Sequence, residues 1–260
     1  MRYIYTLILS LCGITAICQN NSYMSMGYSL SAPQGKMNEK IDPLHSISAN
    51  ILFEIPGITK QIQLGAEAMW GTYASTSKEQ TFNFGGGVST VTNVNYSSNV
   101  LQGSLVAKYL LLKDKKATPY ITAKAGYASF YSNIFIEDPH DEDGCKPLDQ
   151  KNIIKDGTIF GGYGGGIQLD WSIFSPKASK KRGWIDLRVQ NIAGGKIDYI
   201  NTRKLIDASA PPPPGQDGKA VTVKFVNATT NHIHEHQVAE VYTTPLRMLE
   251  FKLSWVFVLE

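Results

Sequence analysis

The sequence is short of cysteine, of charge and of long apolar runs, and each shortage closes off a class of protein. Its 260 residues hold 3 cysteines, Cys12, Cys18 and Cys145. The first two fall in an N-terminal leader, which leaves Cys145 alone, and a lone cysteine forms no internal disulfide. A disulfide scaffold is thereby excluded. Past the N-terminus no apolar run approaches the roughly 18 residues of a membrane helix. Charged residues make up only 18% of the chain and the net charge is +3, too small and too dispersed for a nucleic-acid-binding surface. What is abundant is glycine, 23 residues, and aromatic side chains at 10%.

Residues 1–18 have the organisation of a signal peptide: Arg2 as the charged start, then Ile4 to Ile14 as a short apolar core. Ala16-Ile17-Cys18 before Gln19 fits cleavage after Cys18. The alternative makes Cys18 the acylated first residue of a lipoprotein, against which Ile17 is a poor fit to the small residue preferred there. Residues 19–260 then form one domain.

The last stretch, Leu246 to Phe257, shows how that domain is built. Leu249, Phe251, Leu253, Trp255 and Phe257 share one parity, and Met248, Glu250, Lys252, Ser254 and Val256 the other. That is a strand with an apolar face and a mostly polar one. Seven earlier segments repeat the alternation: 23–32, 47–55, 61–70, 101–111, 120–127, 162–171 and 185–190. Between them lie three short turns (56–60, 113–118, 175–183) and four long connections (33–45, 74–95, 132–156, 194–244), the latter read as polar loops. Eight strands with alternating short and long connections predict an eight-stranded antiparallel transmembrane up-and-down β-barrel, with short periplasmic turns and long extracellular loops.

The polar parity carries Glu54, Glu67, Lys108, Lys124, Asp170, Asp186, Arg188, Glu250 and Lys252. A water-soluble barrel or sandwich would turn its apolar parity inward and leave these to solvent. In an eight-stranded membrane barrel they face a lumen just wide enough for side chains to fill. Five acids and four bases there predict a nearly neutral ion-pair network in place of an open pore, since buried charges persist only when paired. Trp171, Trp184, Trp255 and Phe257 are expected as an aromatic girdle at the short-turn end, with Trp70 in the opposite one.

Several segments carry a resemblance: Pro119 to Tyr127, the glycine-dense Phe160 to Leu169, Ile185 to Val189, and Leu249 to Phe257. They resemble the strands of small outer-membrane barrels of the OmpA-membrane-domain and OmpX-like type, in particular porin-family barrels of Bacteroidetes-type bacteria, where Gln as first mature residue is common. The resemblance spans essentially the mature chain. It implies fold and outer-membrane location and transfers no catalytic residue. Phe257 is followed by Val258, Leu259 and Glu260 instead of ending the chain, a departure from the usual pattern.

Chemistry-bearing clusters are few. His232, His234 and His236 would project to one side of an extended strand, and neighbours two apart can share a Zn²⁺ or Cu²⁺ ion. A polar hairpin wall explains them equally. That hairpin would pair Ala220 to Asn227 with the stretch leading to Tyr242. The carboxylates of Glu137 to Asp143 lack the spacing of a calcium loop, and Pro211 to Pro214 reads as a stiff spacer. The glycines of Phe160 to Gly166 precede neither a Lys-Ser/Thr pair nor a helix, so they form no phosphate loop and imply no cofactor. No serine–histidine pair stands out on the apolar parity for lipid chemistry. The expected function is non-enzymatic: long surface loops for binding, or a structural part of an envelope assembly such as a secretion complex. A narrow channel or porin is the first alternative, and a lipid-active barrel enzyme the second. The expected partners are outer-membrane lipid and lipopolysaccharide together with envelope proteins, and no nucleic acid.

Overall fold

A computed structural model of the chain describes residues 22–55, 59–85, 88–112, 115–137, 147–174, 183–207, 220–226 and 233–259. Alternating residues produce strands almost throughout: β1 (Ser22–Pro33), β2 (Leu44–Ile55), β3 (Thr59–Gly85), β4 (Val88–Leu110), β5 (Ala117–Glu137), β6 (Pro147–Asp170), β7 (Gly183–Tyr199), β8 (Ile206–Asp207), β9 (Ala220–Val226), β10 (Ile233–Glu240) and β11 (Tyr242–Leu259).

Eight of them close a barrel in the order β1-β11-β7-β6-β5-β4-β3-β2, and β8-β10-β9 form a separate three-stranded sheet. All barrel pairings are antiparallel, and closure comes from β1, which pairs β2 (Ser22↔Phe53) and β11 (Ser22↔Leu259). The expected eight-stranded antiparallel barrel is therefore the architecture found.

The strands are longer than the sequence reading allowed. A stretch of ~9–11 residues crosses a bilayer as a tilted strand, whereas β3 has 27 residues and β4 has 23. The segment 74–95, expected as a loop, is the upper part of this hairpin, paired from Ala74↔Ser98 to Gly85↔Val88. In 132–156, β5 runs on to Glu137 and β6 starts at Pro147. In 194–244, β7 reaches Tyr199 and the three-stranded sheet fills part of the interval. The physical reason is a change of phase. Near the short turns, outward residues are apolar and inward ones polar; toward the long connections the assignment inverts.

At the boundary β3 carries a bulge between Thr72 and Ala74, and both Tyr73 and Ala74 are buried. A bulge inserts one residue and re-aims its neighbours, which resets the parity where the surroundings change. A second bulge does the same on β7, where three residue steps from Ala193 to Lys196 face two of β11 and the buried positions pass from Gln190 and Ile192 to Ile197 and Tyr199.

The glycines of β6 make room inside. A Cβ on Gly166 would lie 2.4 Å from Tyr120 Oη, and one on Gly164 2.0 Å from the Val189 carbonyl oxygen. They let Tyr120 reach across the lumen and β7 approach closely.

Candidate functional site

The lumen nearest the short turns holds a compact ionic core. Glu67 (β3) is its centre: Arg188 Nη2 (β7) and Lys252 Nζ (β11) donate to its Oε2 at 2.6 and 2.7 Å, and Lys124 Nζ (β5) to its Oε1 at 3.1 Å. Glu250 takes Lys124 at 3.1 Å and Arg188 at 3.5 Å. Beside it, Lys108 Nζ donates to Asp186 Oδ2 at 2.6 Å and lies 3.8 Å from the centroid of the Tyr120 ring, whose hydroxyl donates to Asp186 Oδ1. Gln168 Nε2 completes the Asp186 shell at 3.2 Å. Glu54 accepts from the Tyr23 hydroxyl at 2.6 Å. Every charged member is buried and compensated from a different strand, and four acids face four bases. Such a cluster is costly to break from one side, because removing one partner strands another in low dielectric.

Asp170 is the exception among the nine charges assigned to the lumen. It stands at the short-turn rim, half-buried, and its Oδ1 accepts from the Ser172 amide at 2.7 Å, capping the 3₁₀ turn Trp171–Ile173. A side chain one residue before a turn bonds locally in preference to crossing the lumen.

Above the ionic core the interior becomes apolar. Leu44, Met69, Phe130, Phe160, Leu246 and Met248 belong to one buried cluster, closed by aromatic contacts among Tyr73, Phe130, Tyr199 and Tyr242 at 5.8–6.3 Å. Higher still, Val94, Tyr96, Ile134 and Ile136 on β4 and β5 pack with Ile200, Leu205, Ala239 and Val241. The segment 200–205 is fastened there by the Tyr73 hydroxyl, which donates to the Ile200 carbonyl at 2.9 Å. Burial pushes the Tyr199 phenol up to about 12, and burial with the Glu240 carboxylate nearby does the same for Tyr242.

The outer face of this upper wall is a polar ladder. Thr72 Oγ1 donates to Asn99 Oδ1 at 2.7 Å, and Asn99 Nδ2 donates to Ser97 Oγ at 2.9 Å and Asn133 Oδ1 at 3.1 Å. Trp70 Nε1 donates to Tyr131 Oη at 2.9 Å just below. Sequence reading passed over this region because Ser, Thr and Asn dominate it; the usable signal was the two-residue spacing of Val94 and Tyr96, and of Ile134 and Ile136.

The aromatic residues separate by parity. Trp171 and Trp255 have ring centroids 4.5 Å apart, and Phe257 stacks beyond Trp255 at 6.4 Å, all at the short-turn end. Trp70 is exposed outward on the far side. Trp184 departs from the girdle assignment: it pairs with inward-facing Val256 and its ring packs at 6.0 Å on Tyr23, at the mouth of the lumen. Its parity follows Asp186 and Arg188.

The histidine cluster is only partly described. His232 lies outside the described residues, while His234 and His236 are on β10, which pairs with β9 as the hairpin reading expected (His234↔Phe225, Val238↔Thr222). The register shifts between Glu235 and Gln237, however, so His236 occupies a bulge. Strict alternation, the premise for placing the histidines on one side, is interrupted there. Among the described residues no group of three His, Cys, Asp or Glu side chains could hold a metal ion. Residues 1–18, expected as a signal peptide, the acidic residues 138–143, Cys145 and Pro211 to Pro214 also lie outside the described residues.

No family model matches the chain, and no curated protein matches its sequence. Among solved structures it is similar to Neisserial surface protein A (NspA), at 9% identity over 91% of this chain and 95% of that one, with a TM-score of 0.38. It is also similar to Ail, the attachment invasion locus protein of Yersinia pestis, at 8% identity over 92% of this chain and 99% of that one, with a TM-score of 0.31. A second structure of Ail, in complex with the heparin analogue sucrose octasulfate, aligns at 9% identity over 92% of this chain and 99% of that one, with a TM-score of 0.32.

Proposed function

We propose that the chain is an integral outer-membrane barrel with no enzymatic role, whose long upper wall acts as a binding platform for a surface or envelope partner. One observation carries this reading: the barrel wall reverses its polarity along its length. Around the short turns the outward face is apolar, with Leu105 72% and Ile121 54% exposed over a buried ionic core. Apolar side chains left in the open over buried charge invert the arrangement stable in water and suit a hydrocarbon surround. The upper wall, polar outside and apolar inside, has the arrangement of an aqueous domain. The short turns then face the periplasm and the polar wall stands outside the cell.

The lumen supports a binding role over conduction, since an ionic plug and an apolar plug are stacked across it. Two experiments test this reading. In planar bilayers the purified protein should give no steady conductance; open-channel currents would favour the narrow-channel alternative. A variant in which residues 76–93 are replaced by a two-residue turn should still insert into membranes yet lose the envelope proteins recovered with the intact chain. Unchanged recovery would contradict a platform on this wall.

A further inference from the structure

The outward face of the membrane-spanning wall is uneven. Along one register row, Ala49 (β2), Ala68 (β3) and Gly103 (β4) lie side by side, and the row ends at Tyr127 (β5) and Ile159 (β6). These small residues form the floor of a groove of about 870 Å³, flanked by Leu105 and Tyr127. Leu105 and Ile159 stand proud at 72% and 76% exposure. A convex barrel wall with protruding ridges meets a second barrel poorly, whereas a slender chain can lie between the ridges.

The upper end of the groove changes chemistry. A Cβ on Gly157 would lie 2.0 Å from Tyr127 Oη, so the phenol points up along β6, with its hydroxyl over a residue that has no side chain. Two positions further on, Tyr131 pairs with Lys155, and its Oη accepts from Trp70 Nε1. Lys155 is exposed on the outward parity, while the neighbouring Asp156 carboxylate is engaged by the Asp198 amide at 2.7 Å. The Tyr127 phenol and the exposed Lys155 therefore stand toward β6 where the apolar groove stops, with the Trp70–Tyr131 pair on the β3 side. That is the level at which amphipathic side chains meet lipid headgroups.

We infer that this wall holds one phosphorylated lipid of the external leaflet, an acyl chain lying along Ala49–Ala68–Gly103 and the headgroup phosphate at Lys155 beside Tyr127 and Tyr131. The site rests on the membrane orientation proposed above but is independent of the platform role. A phosphate pairs with the ammonium and accepts from the Tyr127 hydroxyl, and Leu105 and Ile159 border the groove that takes the chain.

Native mass spectrometry of delipidated protein in detergent tests it, with diphosphoryl lipid A as the probe and phosphatidylglycerol as the second arm. The wild type should retain one lipid A. Gly103→Leu fills the groove without meeting protein, since nothing lies within 4 Å of its Cβ position, and should lower retention about tenfold. Lys155→Ala should lower it by a similar factor. Val189→Leu, elsewhere on the outward wall, should leave it unchanged. Retention indifferent to Gly103→Leu and Lys155→Ala would overturn the site. So would equal retention of phosphatidylglycerol, or a dimer that Gly103→Leu abolishes. Heat-modifiable mobility and insertion into vesicles are measured on each variant; a wild-type chain that stays out of vesicles would instead contradict the membrane orientation itself.

Discussion

On β4 the outward residues change character within one step. Leu101, Leu105 and Tyr109 are exposed and apolar, whereas Asn93, Asn95, Ser97 and Asn99 are polar. Inward, the change runs the other way, from buried Gln102 and Lys108 to buried Val94 and Tyr96. In the proposed membrane orientation one continuous strand meets two solvents. The lower part is then stabilised by pairing charges inside and matching hydrocarbon outside, and the upper part by burying apolar groups away from water. The two halves should fail differently.

The largest expected effect is in the lower half. Glu67→Ala removes the acceptor of Arg188, Lys124 and Lys252 and leaves the three cations with Glu250. Loss of one member of a buried pair costs about 3–5 kcal/mol, to be read by urea unfolding in vesicles. A loss under 1 kcal/mol would mean that the network is hydrated and the lumen open.

Tyr96→Ala is the corresponding test of the upper half. The cavity should cost about 3–5 kcal/mol of local stability, seen as lost amide protection in β3–β6 above Asn99 while the barrel below stays protected. A global loss of protection would make the two regions one cooperative unit.

Leu105→Arg then contrasts with Asn95→Arg on the same parity. The first places a charge on the outward face below the step and should cost roughly 2–4 kcal/mol at mid-membrane depth. The second lies above it and should be nearly neutral. Equal costs would erase the comparison.

The smallest effect is alkaline. Tyr199 and Tyr242 have phenols pushed up to about 12 in the folded extension. Neutral phenol is favoured by folding, so their contribution is full below the unfolded tyrosine value of about 10 and fades between about 10 and 12. Absorbance of tyrosinate near 295 nm should show these two ionising late, and Tyr199→Phe should remove part of the late phase.

Much of this was written in the alternation. The parities of 47–55, 61–70, 101–111, 120–127, 185–190 and 246–257 fix which residues face the lumen, and with them eight of the nine charges now found buried. Asp170 and Trp184 sit at the rim, where local capping and the entrance to the lumen compete with the pattern, and alternation alone does not decide. The upper wall was hidden for a different reason. Its outward Asn and Ser residues match loop composition, and its apolar positions are offset in parity from those below, partly through the bulge at Tyr73. The groove was hidden as well: Ala49, Ala68 and Gly103 are distant in sequence and become neighbours only through the register of β2, β3 and β4. The bulge at His236 was likewise invisible, since nothing in Glu235-His236-Gln237 announces a register shift.

The central claim is the change of solvent along one wall, and a cysteine scan of β4 tests it most directly. Single cysteines at outward positions 93, 95, 97, 101, 105 and 109 would carry a nitroxide in protein reconstituted in vesicles. Collision rates with oxygen and with a water-soluble nickel chelate would then be compared. The account predicts high nickel access at 93, 95 and 97, a step between Asn99 and Leu101, and oxygen-dominated access at 105. Uniform nickel access along the strand would contradict it.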